Sequence, residues 1–350
     1  MAREPWQQAL KDSLTTTGQL AERFAIDPQP LAAVVKRYPM RITPYYFSLI
    51  EQIGDPIWRQ CVPDPRELDD IGLVDPLGEE NLSPVPSVVH RYPDRVIFLV
   101  SGSCASYCRF CTRKRKVGCP SMSLSFRELR DGIDYIAATP QIRDVIFSGG
   151  DPLLLPDSVL GDLLARVHAI PHVEIIRIGT RVPVTLPERI TEKLCTLLRR
   201  FAPLYLNTHF NHPRELTAVA AEACGKLADA GIVLGNQTVL LRDVNDRPEI
   251  IGELFRGLLK MRVRPYYLHQ MDLVRGGEHF RTPVESGLKI MKSLRGPVSG
   301  LASPHYVIDL PGGQGKVPLL PKSLQREGDR LLIRTPSGEL LDYPDPPAIY

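Results

Sequence analysis

From residue 96 onward the chain repeats one unit, a short β-rich run followed by a stretch whose apolar residues recur on a helical period. The runs are VIFLVS (96–101), DVIFSGGD (144–151), VEIIRIG (173–179), PLYLNTHF (203–210), IVLGNQTVLL (232–241) and RPYYLHQMD (264–272). Between them Val159, Leu160, Leu163, Leu164 and Val167 make one apolar face, and Ile190, Leu194, Leu197 and Leu198 another. Strands alternating with helices predict a parallel sheet with right-handed crossovers. Six units fall short of the eight that close a barrel, so the expected architecture is α/β, a partial (β/α)6 barrel open at one side. The C-terminal ends of such strands share one mouth, where active sites form. Here they hold Ser148, Gly149, Gly150 and Asp151; Thr180 and Arg181; His209 and Asn211; Gln237; His269, Gln270 and Asp272. One polar strand end is an ordinary turn, but five sets on one rim make a candidate site.

The first run breaks into CASYCRFC, which places Cys104, Cys108 and Cys111 within eight residues at C-x3-C-x2-C spacing. A cubane iron–sulfur cluster normally takes four thiolates. Three on one tight loop leave an iron open, and the amino and carboxylate groups of S-adenosylmethionine can chelate it, which opens one-electron chemistry on that cofactor. A zinc knot would need a fourth ligand such as Cys119 or a remote histidine, and this spacing is not the paired C-x2-C of structural zinc sites. One βα unit later, FSGGDP (147–152) offers two glycines that let backbone approach a ligand, with Ser148 and Asp151 as polar contacts. Read alone, that segment is a plain turn; after the cysteine loop it suits the amino group of S-adenosylmethionine.

The 350 residues have room for a barrel with appendages, and a net charge of +3 is too small to argue for nucleic acid. Seven cysteines, three of them crowded together, do not form a secreted disulfide framework. MAREPWQQALKD carries charges where a signal peptide needs an apolar stretch, and no run approaches the ~20 apolar residues of a membrane span, so a cytoplasmic protein is expected. Residues 1–95 read as a mainly helical region, with Leu20, Phe24, Leu31, Val34 and Val35 at helical spacings and prolines at 28, 30, 39 and 44 cutting the pieces short. The region ends in an extended segment whose Arg91 and Arg95 are either surface arginines or guanidinium forks for a phosphate.

The cysteine loop followed by GGD resembles the radical S-adenosylmethionine superfamily, and the longer pattern resembles the lysine 2,3-aminomutase family. That pattern comprises HRYPDR (90–95), CASYCRFCTR (104–113), FSGGDP (147–152), LNTHFNHP (206–213), GNQTVLLRDVND (235–246), RPYYLHQMD (264–272), GGEHFRTPV (276–284) and YVIDLPGGQGKVP (306–318). The resemblance implies a 4Fe-4S cluster, S-adenosylmethionine and pyridoxal 5′-phosphate as cofactors, and conversion of L-lysine to β-lysine. A reduced cluster would split S-adenosylmethionine, the resulting radical would take hydrogen from the lysine β-carbon, and the nitrogen would move from the α- to the β-carbon. It further implies an electron donor such as flavodoxin or ferredoxin, a homo-oligomer, and no membrane or nucleic-acid partner. The chain then divides into 1–95, a barrel at 96–300, and a C-terminal segment at 301–350 that ends in a hairpin at 330–343.

Residue by residue, the resemblance makes Lys316 the lysine that forms the internal aldimine, in a glycine-rich loop that lets it reach inward. Arg91, Tyr92 and Arg95 match positions that cradle the cofactor phosphate. Ser148, Gly149, Gly150 and Asp151 fall on the S-adenosylmethionine side, His209 and Gln237 are further cofactor-binding candidates at strand ends, and Cys104, Cys108 and Cys111 are the cluster ligands. Arg113 matches the arginine for the substrate carboxylate, while Asp272 and Asp309 match the pair that holds the distal ammonium, where turn-capping acids are the structural alternative. His269 and Gln314 stand where the family more often has Tyr and Gly. Two other readings are an aminomutase of the elongation factor P-lysine branch, or one for another amino acid. A third is a radical enzyme that modifies RNA, with Arg109, Arg113, Lys114, Arg115 and Lys116 on phosphates.

Overall fold

The computed structural model describes residues 4–119, 122–320, 324–327, 330–335 and 338–343. Five short helices open the chain: Pro5–Lys11, Thr17–Ala21, Gln29–Arg37, Pro44–Ser48 and Pro56–Cys61. Pro30 and Pro44 start helices, since a first-turn residue needs no N–H partner. Thr43 accepts from the Tyr46 N–H, and Asp55 from those of Ile57 and Trp58, which caps the last two helices. Leu20, Phe24, Leu31 and Val34 are buried, and the Phe24 ring meets Phe47 and Trp58 edge-on at 5.8 and 5.1 Å.

Nine strands form one sheet in chain order: β1 (Val88–Tyr92), β2 (Arg95–Ser101), β3 (Asp144–Gly149), β4 (Ile175–Gly179), β5 (Leu204–Thr208), β6 (Val233–Leu240), β7 (Arg264–Gln270), β8 (His305–Leu310) and β9 (Gly315–Pro318). β2 to β8 run parallel, and β1 and β9 are antiparallel edges. All six sequence-read runs are strands, and the sheet is the partial barrel expected of them. The difference is a seventh parallel strand, β8, which pairs with β7. Its Tyr306 is buried, with its hydroxyl donating to Gln270 Oε1 at 2.6 Å, and its other face carries Asp309.

Helices Phe126–Ala137, Asp157–His168, Glu192–Arg199, Ala218–Asp229, Pro248–Lys260 and Val284–Leu294 follow successive strands. Leu160, Leu163, Leu164, Val167, Leu194 and Leu198 share one core with alternate strand residues such as Phe98, Phe147, Ile178 and Leu206. The other alternates, half-buried, lie on the opposite face of the sheet: Asp144 and Ser148, Arg177, Asn207, Gln237, His269 and Asp309.

The two edges meet through side chains. Arg91 on β1 pairs with Asp309 on β8 at 2.9 Å and donates to Gly313 O at 3.0 Å, and the Lys316 N–H of β9 donates to the Tyr92 hydroxyl at 2.9 Å. Beyond β9, a separate antiparallel sheet comprises β10 (Leu324–Glu327), β11 (Arg330–Arg334) and β12 (Leu340–Tyr343), of which the last two are the expected hairpin. Among the described residues no helix is long and apolar enough to cross a membrane.

Candidate active site

The loop after β2 is held by the glycines after β3. Gly149 has φ +121°, and a Cβ there would lie 2.4 Å from Ser101 O; one on Gly150 would lie 2.4 Å from Ser103 O. The Gly150 and Asp151 N–H groups donate to those carbonyls at 2.5 and 2.7 Å. What the two glycines admit at this point is the chain's own backbone. The Asp151 carboxylate, buried, accepts from the Thr180 hydroxyl at 2.7 Å and from the N–H groups of Arg181 (2.7 Å) and Leu153 (3.1 Å), which ties β3 to β4.

Cys104, Cys108 and Cys111 are free and half-buried on that loop. Burial pushes the Cys104 and Cys111 thiols up, Cys111 to about 11, and each rises further because neighbouring cysteine charges repel; the Arg113 guanidinium works in the opposite direction. Such thiols become thiolates when a metal takes the proton's place. No three His, Cys, Asp or Glu side chains among the described residues close on a single point. A four-iron cluster, with each thiolate on a different iron, does not require it. The donor set fits the cluster: three soft ligands and an adjoining cation.

That cation is Arg181, at the end of β4. It donates from Nη1 to Cys108 Sγ at 2.9 Å, from Nε to His209 O at 3.1 Å, and from Nη2 to the Tyr46 hydroxyl (3.0 Å), Gln60 Oε1 (2.5 Å) and Glu215 Oε1 (2.8 Å). Phe110 packs on both the guanidinium and the His209 ring, 5.3 and 5.4 Å away. His209 Nε2 is buried without a hydrogen-bond partner among the described residues. Burial and the Arg181 charge hold this imidazole neutral, well below its ordinary pKa.

Arg113 follows the loop and meets Glu79 in a two-pronged pair, Nε to Oε2 at 2.7 Å and Nη2 to Oε1 at 2.6 Å. Its remaining edge, Nη1, reaches Ser148 Oγ and Gly149 O, both at 3.2 Å. Burial raises the Glu79 carboxyl, but the Arg113 charge outweighs it and keeps the acid ionised.

Lys316 sits past a glycine turn in which Gly313 has φ +80° and abuts Leu82 and the Leu77 carbonyl. Its Nζ pairs with Asp309 Oδ2, lies 3.4 Å from His269 Nδ1, and stands over the Tyr267 ring at 5.2 Å. Burial raises the Asp309 carboxyl, but His269 and Lys316 outweigh it and hold the acid well below the usual range. Arg91 Nη2 is buried with no hydrogen-bond partner among the described residues, and so is His269 Nε2. An unsatisfied guanidinium N–H beside a reachable lysine amine fits a phosphate-bearing aldehyde cofactor. Tyr92 carries the Arg95 guanidinium on its ring at 4.0 Å. Arg95 also donates to Asp94 at 3.1 Å.

Asp272 stands two residues past β7. Its pKa is pushed up to about 7, first by burial and then by Asp309, with Lys316 and Arg91 pulling down and Glu79 adding to the rise. Asp272 therefore feels the groups around Lys316 and also the partner of Arg113, which in turn acts on Cys104 and Cys111. Of the other strand ends, Asn211 and Gln270 are tied to Val239 N (2.9 Å) and Thr282 O (2.7 Å), and Gln237 lies half-buried on β6.

The basic run does not form a free patch. Arg109 and Lys114, 1% and 5% exposed, both bind Glu67, at 2.6 and 2.7 Å. Arg113 is on Glu79, Arg115 on Asp75 and Glu80, and Lys116 on Glu80. Sequence reading missed this pairing because the acids lie in 67–80, a stretch with no periodic signal. It missed Glu79 for the same reason, and it saw Arg181 only as a polar strand end.

The family model described as Radical SAM superfamily matches residues 98–254, and the one described as Lysine-2,3-aminomutase matches residues 291–350. The L-lysine 2,3-aminomutase of Fusobacterium nucleatum is 46% identical over 349 residues, covering 97% of this chain and 82% of that protein. That of Methanococcus maripaludis is 50% identical over 315 residues, 88% of this chain and 73% of that one. The glutamate 2,3-aminomutase of Clostridioides difficile is 42% identical over 351 residues, 98% and 83%.

Proposed function

The chain belongs to the lysine 2,3-aminomutase family of radical S-adenosylmethionine enzymes, and from that premise we propose how its own residues divide the work. It is an isomerase that moves the α-amino group of L-lysine to the β-carbon, with a 4Fe-4S cluster, S-adenosylmethionine and pyridoxal phosphate as cofactors. When bound, the cluster and S-adenosylmethionine supply a carbon radical, and pyridoxal phosphate supplies the imine over which an unpaired electron spreads.

In our reading Cys104, Cys108 and Cys111 hold the cluster, and the strand ends from Ser148 to Asp151, with His209 and Gln237, form the wall on the S-adenosylmethionine side. Lys316 carries pyridoxal phosphate, and Arg91, Tyr92 and Arg95 receive its phosphate. Arg113, held by Glu79, orients the substrate carboxylate through Nη1, the edge that otherwise rests on Ser148 Oγ and Gly149 O. Once Lys316 is committed to the cofactor its charge no longer offsets Asp309, and once the phosphate draws Arg91 away that carboxylate, with Asp272, faces the substrate cation.

The observation that carries the choice of lysine is this pair of acids, Asp309 on β8 against the Lys316 amine and Asp272 just past β7, close enough for the Asp309 charge to raise its pKa. A glutamate side chain would bring a third carboxylate to the same place, at a cost of several kcal/mol. The RNA-modifying reading finds no support in the basic run, whose five cations are paired internally. An external low-potential electron donor of the flavodoxin or ferredoxin kind, a homo-oligomeric assembly and a cytoplasmic location complete the proposal. The test is an anaerobic assay with lysine, glutamate, alanine and ornithine, read for β-amino products. β-Lysine as the main product is expected, and a preference for glutamate would overturn the reading.

A further inference from the structure

Arg181 is 8% exposed, and every nitrogen of its guanidinium has an acceptor. Three of these acceptors are themselves fixed. Glu215 also accepts from the Tyr46 hydroxyl (2.6 Å) and from the N–H groups of Asn211 (2.6 Å) and His212 (3.0 Å), and Gln60 Oε1 also accepts from Asn211 Nδ2 at 3.0 Å. His209 O belongs to the backbone after β5. The guanidinium is therefore a rigid plate with one edge aimed at sulfur.

Its acceptors include two that carry or can carry full negative charge, Glu215 and the Cys108 sulfur. A second deeply buried arginine provides the contrast. Arg189, fully buried, donates from Nε to Leu153 O and from Nη2 to Leu155 O and Asp157, has no sulfur among these acceptors, and keeps Nη1 without a hydrogen-bond partner among the described residues. At Arg181, by contrast, no guanidinium nitrogen is left over, and one of the acceptors is sulfur.

We propose that Arg181 is a positioning residue for the metal centre, fixing the Cys108 sulfur with a charged hydrogen bond and so making the centre easier to reduce. The proposal rests on reading Cys104, Cys108 and Cys111 as the cluster ligands. When the oxidised centre gains one electron from a low-potential donor, negative charge on its sulfurs grows. A fixed N–H and a nearby cation stabilise that reduced form more than the oxidised one. Lysine at this position would supply a point charge but could not serve Glu215, Gln60, Tyr46 and Cys108 together.

The experiment uses the full chain, reconstituted anaerobically with iron and sulfide, as wild type, Arg181→Lys, Arg181→Gln and the control Arg189→Lys. Iron and sulfide content is measured first, then the midpoint potential by dye-mediated titration with dithionite, followed by electron paramagnetic resonance. With full iron, Arg181→Gln should lower the one-electron equilibrium at least tenfold, a fall of 59 mV or more. Arg181→Lys should fall between it and wild type, and Arg189→Lys should match wild type. If Arg181→Gln fails to fold, Arg181→Lys decides: a lowered potential supports the proposal and a wild-type potential overturns it. An iron-replete Arg181→Gln chain at the wild-type potential sinks the proposal alone. A wild-type chain that binds no iron sinks the cluster reading as well.

Discussion

Arg91 Nη1 lies 2.9 Å from Asp309 Oδ1, and this pair joins the first strand of the sheet to the eighth. Both side chains are largely buried, 15% and 8% exposed, so neither charge is left to water. The same Asp309 holds Lys316 through its other oxygen. Arg91 and Lys316, assigned to one cofactor, are therefore joined through one carboxylate, and the tests can separate them.

Lys316→Ala should abolish borohydride fixation of pyridoxal phosphate to the chain. Arg91→Gln should keep fixation but weaken cofactor binding by roughly 10- to 100-fold, the worth of one charged hydrogen bond. Absorbance titration reads both, and fixation that persists on another lysine would refute the assignment.

Cys108→Ala should remove the visible iron–sulfur absorption of anaerobically reconstituted protein. A spectrum equal to wild type would show that the cluster does not depend on this loop.

Arg113→Lys replaces a planar fork by a point charge that cannot bind Glu79 twice and still reach Ser148. The KM for lysine should rise by about tenfold or more, while the KM for lysinamide, which lacks the carboxylate, should change far less. Equal changes for the two substrates would detach Arg113 from carboxylate binding.

Asp272, with its pKa pushed up to about 7, is charged above that pH and protonated below it. Pairing with a substrate ammonium needs the charged form, so the KM for lysine should climb as pH falls below 7, and Asp272→Asn should flatten the climb. The folded protein holds this proton over a range where the unfolded chain has released it, so stability declines as pH rises from about 4 to 7. Asp272→Asn should accordingly raise Tm at pH 8 in the substrate-free protein, and an unchanged Tm would speak against the shift.

Glu67→Gln removes the one anion between Arg109 and Lys114. Breaking a buried pair from one side leaves uncompensated charge, and a loss of about 3–5 kcal/mol in chemical denaturation is expected. A loss below 1 kcal/mol would mean that water reaches these cations.

The barrel was legible because each strand carries its own signal, an apolar run such as VIFLVS or VEIIRIG framed by helical periods. β8 was not, because Asp309 cuts its apolar stretch to Tyr306, Val307 and Ile308, and a glycine turn in place of an apolar helical stretch follows it. The thiols and Lys316 were marked by local spacing, three cysteines in eight residues and a lysine after glycines. Glu79 and Glu67 were invisible for the opposite reason. Each matters through a partner more than 30 residues away, and nothing in GEEN or PREL records that distance. Arg181 stood at a strand end like Thr180, and only folding distinguishes the residue that reaches sulfur from the one that caps a turn.

The sheet ends on two edge strands laced by an ion pair, a tyrosine hydroxyl and a lysine amide in place of a backbone ladder. A ladder can be parted only by unfolding strands, whereas this lacing can be undone by competition, because any anion that claims Arg91 takes one of its stitches. The cargo of such a vessel is also its clasp: filling it and fastening it draw on the same few atoms.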